Sequence, residues 1–245
     1  MIDVGILTPH AAAGADEEFC TMAGRAVRTH VRRISLLPDG SAPTSPEELR
    51  AHADPSVVDA AAAELDPRRL QAIAYASTST AYVLGHRAER ERVARLADRW
   101  DVRVCSTPAS AVDALRRLGA ERLAVVHPPW FGEDLNSRGA AYFRDQGFSV
   151  GCADLADVTD DPALVEPAEV VDWVAENVPG DVDAVFLGGN GFRAAQAVDP
   201  LEQHLDRPVL ESNQVLLWSV NESLGTPVVV RGFGRLLEPG REDAS

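Results

Sequence analysis

The 245-residue sequence predicts an α/β protein of two Rossmann-like lobes, each built on a parallel sheet, with an active-site cleft between them. Three observations carry this expectation. Short apolar runs of β type alternate with helical patterns along the chain, the order that right-handed βαβ crossovers require. Most of these runs are continuously hydrophobic, as strands are when helices cover both faces of their sheet. Finally, the alternation begins again near Cys105–Pro108 with no Pro/Ser-rich linker.

The first strand candidate is Val4–Leu7, followed by Thr8-Pro9-His10 and a small-residue loop, Ala11–Ala15. Ser45-Pro46-Glu47-Glu48 then offers an N-cap serine, a proline at the first helical position and a capping-box glutamate. Asp54-Pro55 restarts or kinks that helix before Val57–Leu65. Leu70–Tyr75 is the next strand. The Glu- and Arg-rich run Arg87–Arg99 reads as a solvated helix face with ion pairs. After the strand Val102–Cys105, Thr107-Pro108 opens the helix Ala109–Leu118, which Gly119 closes. Strands follow at Leu123–Val126, Val150–Cys152, Ala184–Leu187 and Val209–Leu210. Ser212 is placed to cap Asn213–Leu224, with Gly225 at its end. A last strand is expected at Val228–Val230, and Glu238–Ser245 reads as a frayed polar tail. The chain would return to the first lobe near Pro208–Ser212, giving residues 1–106 with 210–245 as one lobe and 107–209 as the other.

Charge narrows the function classes. With 23 Lys and Arg against 38 Asp and Glu, the formal net charge is −15, which argues against nucleic acid or anionic lipid as a partner. No apolar run reaches the roughly 18 residues of a membrane span, and no basic leader precedes Val4, so a cytoplasmic protein is expected. The 3 cysteines, Cys20, Cys105 and Cys152, form no C-x-x-C, so neither a metal site nor a disulfide framework is expected. A homo-oligomer is left open.

Ligands of open parallel sheets collect at the carboxyl ends of strands. Ser77-Thr78-Ser79-Thr80 places four hydroxyls after one strand, where they can hold a carboxylate or an enolate oxygen, or simply cap a helix. Gly188-Gly189-Asn190-Gly191 lets backbone approach a ligand on the opposing lobe, though a glycine turn is as often structural. This run lacks the G-x-G-x-x-G spacing of a dinucleotide site. His127, followed by Pro128-Pro129-Trp130, is either a general acid or base or a satisfied structural histidine. Cys20 and Cys152 read as packing residues, whereas Cys105 at a strand end has some claim to the cleft.

In these segments the chain resembles the aspartate/glutamate racemase superfamily, in the branch of maleate cis-trans isomerases and arylmalonate decarboxylases. The carriers are Val4-Gly5-Ile6-Leu7-Thr8-Pro9, Ala74-Tyr75-Ala76-Ser77-Thr78-Ser79, Ser110-Ala111-Val112, His127-Pro128 with Asn136 and Tyr142-Phe143, Gly147-Phe148, Phe186–Arg193, and Ser212-Asn213-Gln214 with Leu216-Leu217-Trp218. The resemblance implies two similar lobes around a cleft that needs no cofactor or metal. It also implies that Ser77 and Gly189 stand where that superfamily keeps its cysteines. A serine hydroxyl has too high a pKa to exchange a carbon-bound proton near neutrality unless strongly activated, and glycine offers no group. Two-base racemisation is therefore not expected.

What survives is a cofactor-independent lyase or isomerase acting on a small carboxylic acid through an enolate-like intermediate, most concretely a malonate-type decarboxylase. In that reading Ser77, Thr78 and Ser79 hold the carboxylate or enediolate, Gly189 and Asn190 complete the cradle, Trp130 lines an apolar pocket, and His127 supplies the proton. The alternatives are a non-catalytic small-carboxylate binding protein on the same scaffold, or a hydrolase or dehydratase using Ser77 with His127.

Overall fold

A computed structural model describes residues 1–11, 13–36, 43, 45–225 and 228–238. Of the polar tail only Glu238 falls among them; the rest lies outside the described residues, as does Ala12 of the first loop. Eight strands are found among these residues, in two four-stranded parallel sheets. In chain order the strands of the first sheet are β1 (Ile2–Thr8), β2 (Val27–Arg33), β3 (Ala72–Tyr75) and β4 (Arg103–Ser106). Those of the second are β5 (Arg122–His127), β6 (Ser149–Leu155), β7 (Ala184–Leu187) and β8 (Val209–Glu211).

The spatial orders are β2-β1-β3-β4 and β6-β5-β7-β8, the same permutation twice. In register, Val4 faces Ala72 and Leu7 faces Tyr75 in the first sheet; Leu123 faces Ala184 and Val126 faces Leu187 in the second. The chain therefore reverses its winding direction between β1 and β3, and again between β5 and β7. Such switch points open a crevice at the carboxyl ends of the strands.

Ten α-helices lie among the described residues: α1 (Ala15–Ala23), α2 (Pro46–His52), α3 (Pro55–Ala63), α4 (Thr78–Leu84), α5 (His86–Trp100), α6 (Thr107–Arg117), α7 (Gly132–Asp145), α8 (Pro167–Asn177), α9 (Ala195–Leu205) and α10 (Ser212–Leu224). Two of the expected starts hold in detail. Ser45 and Glu48 form a reciprocal capping box at α2, and Asp54 caps α3 by accepting the Ser56 N–H. At α10 the cap is Glu211 instead of Ser212. Its carboxylate accepts the Asn213 and Gln214 N–H groups, which leaves the Ser212 hydroxyl to accept the Gly189 N–H at 2.8 Å and to meet Thr78 Oγ1 of the first lobe at 3.2 Å.

Two strand expectations need correction. β2 was not foreseen because it is an edge strand, Val-Arg-Thr-His-Val-Arg-Arg, whose side chains alternate with solvent; charged edges discourage pairing with other chains and hide the apolar signal. Val228–Val230 forms no strand, and the Val228 carbonyl accepts from Asn221 Nδ2 where a ladder bond would otherwise run. The α5 helix is also less solvated than its charges suggest. Glu89 is fully buried, accepting from Ser106 Oγ at 2.6 Å and the Ala109 N–H at 3.1 Å, with Tyr142 OH as a third donor from the second lobe.

The chain leaves the first sheet after Ser106 and enters the second at Arg122. β8 is the last strand of the second sheet, and α10 then packs on α6, β4 and α1. One continuous apolar cluster joins Val4, Phe19 and Leu115 to Leu123, Phe143, Phe186 and Trp218, so the inner faces of both sheets share a core. Separate clusters cover the outer faces, around Leu7, Ile73 and Leu96 in the first lobe and Val126, Val185 and Leu201 in the second. Burial on both faces explains why these strands are apolar throughout.

Candidate active site

A cavity of about 230 Å³ lies at the carboxyl ends of the two sheets. Its walls come from the four strands that flank the two switch points: His10 after β1, Ser79 after β3, Trp130 and Phe131 after β5, Asn190 and Gly191 after β7. Leu135 and Pro162 add apolar surface and Asp160 a carboxylate. A larger open groove, near 850 Å³, sits by Gln71 and Arg103, at the opposite end of the first sheet where β3 and β4 begin. Among the described residues no group of His, Cys, Asp or Glu is arranged to hold a metal ion, and no helix is long and apolar enough to cross a membrane.

The first-lobe wall is the hydroxyl turn at α4. Ser79 is 2% exposed, lines the cavity, and its Oγ has no hydrogen-bond partner. A buried hydroxyl left unbonded costs about 1–3 kcal/mol, and this atom has a hydrogen bond still to make at the cavity wall. Ser77 is the N-cap of α4, accepting the Thr80 N–H at 3.3 Å, with Thr80 Oγ1 at 2.7 Å and His10 Nε2 at 3.3 Å. It lies behind His10 and is not itself a lining residue. Burial, aided by nearby His52, pushes the His10 pKa down to about 4, so the ring is neutral at physiological pH.

The remaining expected site residues are held elsewhere. Asn190 spans the lobes: its Oδ1 accepts the Thr78 N–H and hydroxyl, each at 3.0 Å, while Nδ2 donates to Thr107 Oγ1 at 3.0 Å and Asn213 Oδ1 at 2.7 Å. Gly189, at φ +121, donates its N–H to Ser212 Oγ at 2.8 Å and packs on Pro128. His127 does not reach the cavity. Asn136 Nδ2 donates to the Ala153 carbonyl, so its Oδ1 accepts from His127 Nδ1–H at 2.8 Å, and Nε2 must then accept from Tyr82 OH at 3.0 Å. Burial depresses its pKa to about 4 as well. Phe131 stacks on the ring, and a Cβ added at Gly139 or Gly188 would come within 2.5 or 2.6 Å of it. The structural alternative for this histidine is the one its geometry matches.

Behind Asn190 lies a buried acid pair. Glu18 accepts the Ala195 N–H at 2.9 Å and Asn213 Nδ2–H at 2.6 Å, yet burial raises its pKa to about 7. Burial and the charge of Glu18 raise the pKa of Glu211 as well, and its Oε1 has no hydrogen-bond partner.

A family model described as arylmalonate decarboxylase matches residues 51–237. The chain belongs to that family. It is 30% identical to the arylmalonate decarboxylase of Bordetella bronchiseptica over 141 residues, 55% of this chain and 58% of that one. To the maleate isomerase of Nocardia farcinica it is 30% identical over 147 residues, 58% of this chain and 56% of that one. The matched stretches thus span little more than half of those relatives. Solved structures extend the likeness over the whole fold. The maleate isomerase Iso of Pseudomonas putida S16, solved with maleate, superposes with a TM-score of 0.85 at 23% identity, covering 98% of both chains. The Nocardia farcinica isomerase, solved as a cysteine-to-serine mutant with a covalently bound succinylcysteine intermediate, gives 0.82 at 25% identity, covering 97% of this chain and 98% of that one.

Within this member of the arylmalonate decarboxylase family the three cysteines lie off the cavity. Cys20 is exposed on α1, Cys105 is buried in β4, and Cys152 is half-buried in β6. Burial raises the thiol pKa of Cys105, and that of Cys152 to about 11, the opposite of an activated nucleophile. The residue that sequence reasoning passed over is His10. Its position directly after β1 was the available signal.

Proposed function

We propose that this chain is a cofactor-independent decarboxylase of a small malonate-type acid, working through an enediolate. The observation that carries the reading is the unbonded, buried Ser79 hydroxyl in a cavity whose walls include the apolar side chains of Trp130, Phe131 and Leu135. Loss of CO₂ is favoured when the departing carboxylate is stripped of water and the charge left behind meets a fixed donor. Apolar walls supply the first condition and Ser79 the second. No lining thiol is present for a covalent adduct, which weighs for decarboxylation over isomerisation. A malonate also needs no base to pull a proton from carbon. That suits a site whose imidazole, His10, is a weak base.

Product formation from a panel of 2-substituted malonates and cis-unsaturated diacids is the test. Malonate turnover that falls at least about 10²-fold in Ser79→Ala supports the reading. The reading fails if no acid turns over, or if the Ser79→Ala enzyme is as fast as the wild type. One observation favours a second reading, a carboxylate-binding protein: Asn190 already holds both donors of Thr78. Thermal stabilisation by the same acids without turnover would select it.

A further inference from the structure

We propose that His10 is the proton donor of this site and that Ser77 sets its tautomer, so that the new C–H bond forms from the first-lobe wall. The reaction step rests on the decarboxylase reading; the hydrogen-bond geometry does not.

His10 lines the cavity directly after β1, and its Nε2 lies 3.3 Å from Ser77 Oγ. That oxygen accepts the Thr80 N–H, and the Thr80 hydroxyl approaches it at 2.7 Å. With the Thr80 hydroxyl donating to Ser77, both lone pairs of Ser77 are taken, and its own proton points to His10 Nε2. A neutral imidazole that accepts at Nε2 carries its hydrogen at Nδ1. Among the described residues Nδ1 has no partner, so its N–H is left for whatever enters the cavity. Among the described residues the facing wall brings no hydroxyl, thiol or imidazole into the cavity, only the Trp130 indole and the Asp160 carboxylate. Gly189 has no side chain, the Asn190 amide is engaged across the lobes, and both ring nitrogens of His127 are closed. The titratable and charged groups around His10 are His52 from α2, Asp16, which pairs with Arg33 at 3.0 Å, and Asp160 across the cavity.

In the step, the bond to the departing carboxylate breaks, CO₂ leaves, and the electron pair stays on the substrate as an enediolate. The Nδ1 proton of His10 then forms the new C–H bond. The imidazolate left behind is a weaker base than the enediolate and takes a proton from water; the resulting hydroxide adds to CO₂ as bicarbonate.

The test combines ¹⁵N NMR of the histidine-labelled full chain with turnover. Wild-type His10 is expected as the Nδ1–H tautomer at pH 7, with Nδ1 shifting when phenylacetate is added. Ser77→Ala should convert the ring to the Nε2–H tautomer, and Ser77→Thr, which keeps a capping hydroxyl, should restore it. With a prochiral malonate bearing two different 2-substituents in D₂O, one deuterated enantiomer should predominate. His10→Phe should then lower the rate about 10²-fold and give racemic product. An Nε2–H tautomer in the wild type, a tautomer indifferent to Ser77→Ala, or a His10→Phe enzyme with unchanged rate and enantiomeric excess overturns the proposal. The expected tautomer and phenylacetate shift without malonate turnover uphold the Ser77-set Nδ1–H geometry and remove the decarboxylase reading together with the C–H step.

Discussion

The wall that follows β1 and β3 leaves Ser79 Oγ unbonded and His10 Nδ1 unheld, whereas the wall that follows β5 and β7 engages every polar side-chain atom of Asn190 and His127. Both walls hang from the same strand order, so topology alone does not separate them. The difference teaches where each kind of residue type ended up. Short protic groups in the first lobe are left facing the cavity. In the second lobe glycine, proline and aromatic residues shape it, and the one amide there is used to hold the lobes together.

The largest effect should come from breaking the engaged side. Asn190→Ala strands the Thr78 N–H and Asn213 Oδ1 in the interior, and chemical denaturation should show a loss of about 4 kcal/mol. Ser79→Ala should do the reverse, leaving stability within about 0.5 kcal/mol of wild type while its activity loss is the one predicted above. If both variants proved equally destabilised, the contrast between the walls would be gone. Next in size is Gly139→Ala. Its Cβ would meet His127 Cε1 at 2.5 Å and Tyr82 at 2.7 Å, and overpacking of this kind costs about 1–3 kcal/mol by urea titration.

The smallest effect concerns pH. Glu18 has a folded pKa near 7 against 4.5 for the ordinary group, so the folded state binds more protons between those values. Its contribution is complete below pH 4.5 and is lost as pH rises through 7. Stability should fall by about 1 kcal/mol from pH 6.5 to 8, and Glu18→Gln should flatten that slope. His10 and His127 act oppositely at lower pH. Held neutral down to about 4, they make the folded state lose stability as pH falls below 6.5.

The buried strands and most helix starts were legible because their signals are local: continuous apolar runs and Ser-, Asp- or Pro-marked caps. β2 was not, because an edge strand with one wet face carries arginines where a central one carries valines. The hydroxyl turn and the aromatic wall were also readable from strand ends. Choosing between two strand-end histidines was not. His127 is the last residue of β5, so its ring points into the helix layer beside its sheet, while His10 lies two residues beyond β1 and can turn into the crevice. The Glu18–Asn213 contact joins residues 195 positions apart and has no local signature at all.

The imidazole of His127 sits against Gly139 on α7 and Gly188 after β7. The three positions therefore share one volume, and their tolerance to change is a joint property. While the histidine stays, a methyl group at either glycine is crowded; once a smaller residue replaces it, Gly188 loses its two nearest neighbours, whereas a methyl group at Gly139 still meets Tyr82 at 2.7 Å. Across natural variants of this chain, positions 127 and 188 should drift as one locus, with 139 joining it where position 82 also changes, and a scan that changes them singly will score each as costly.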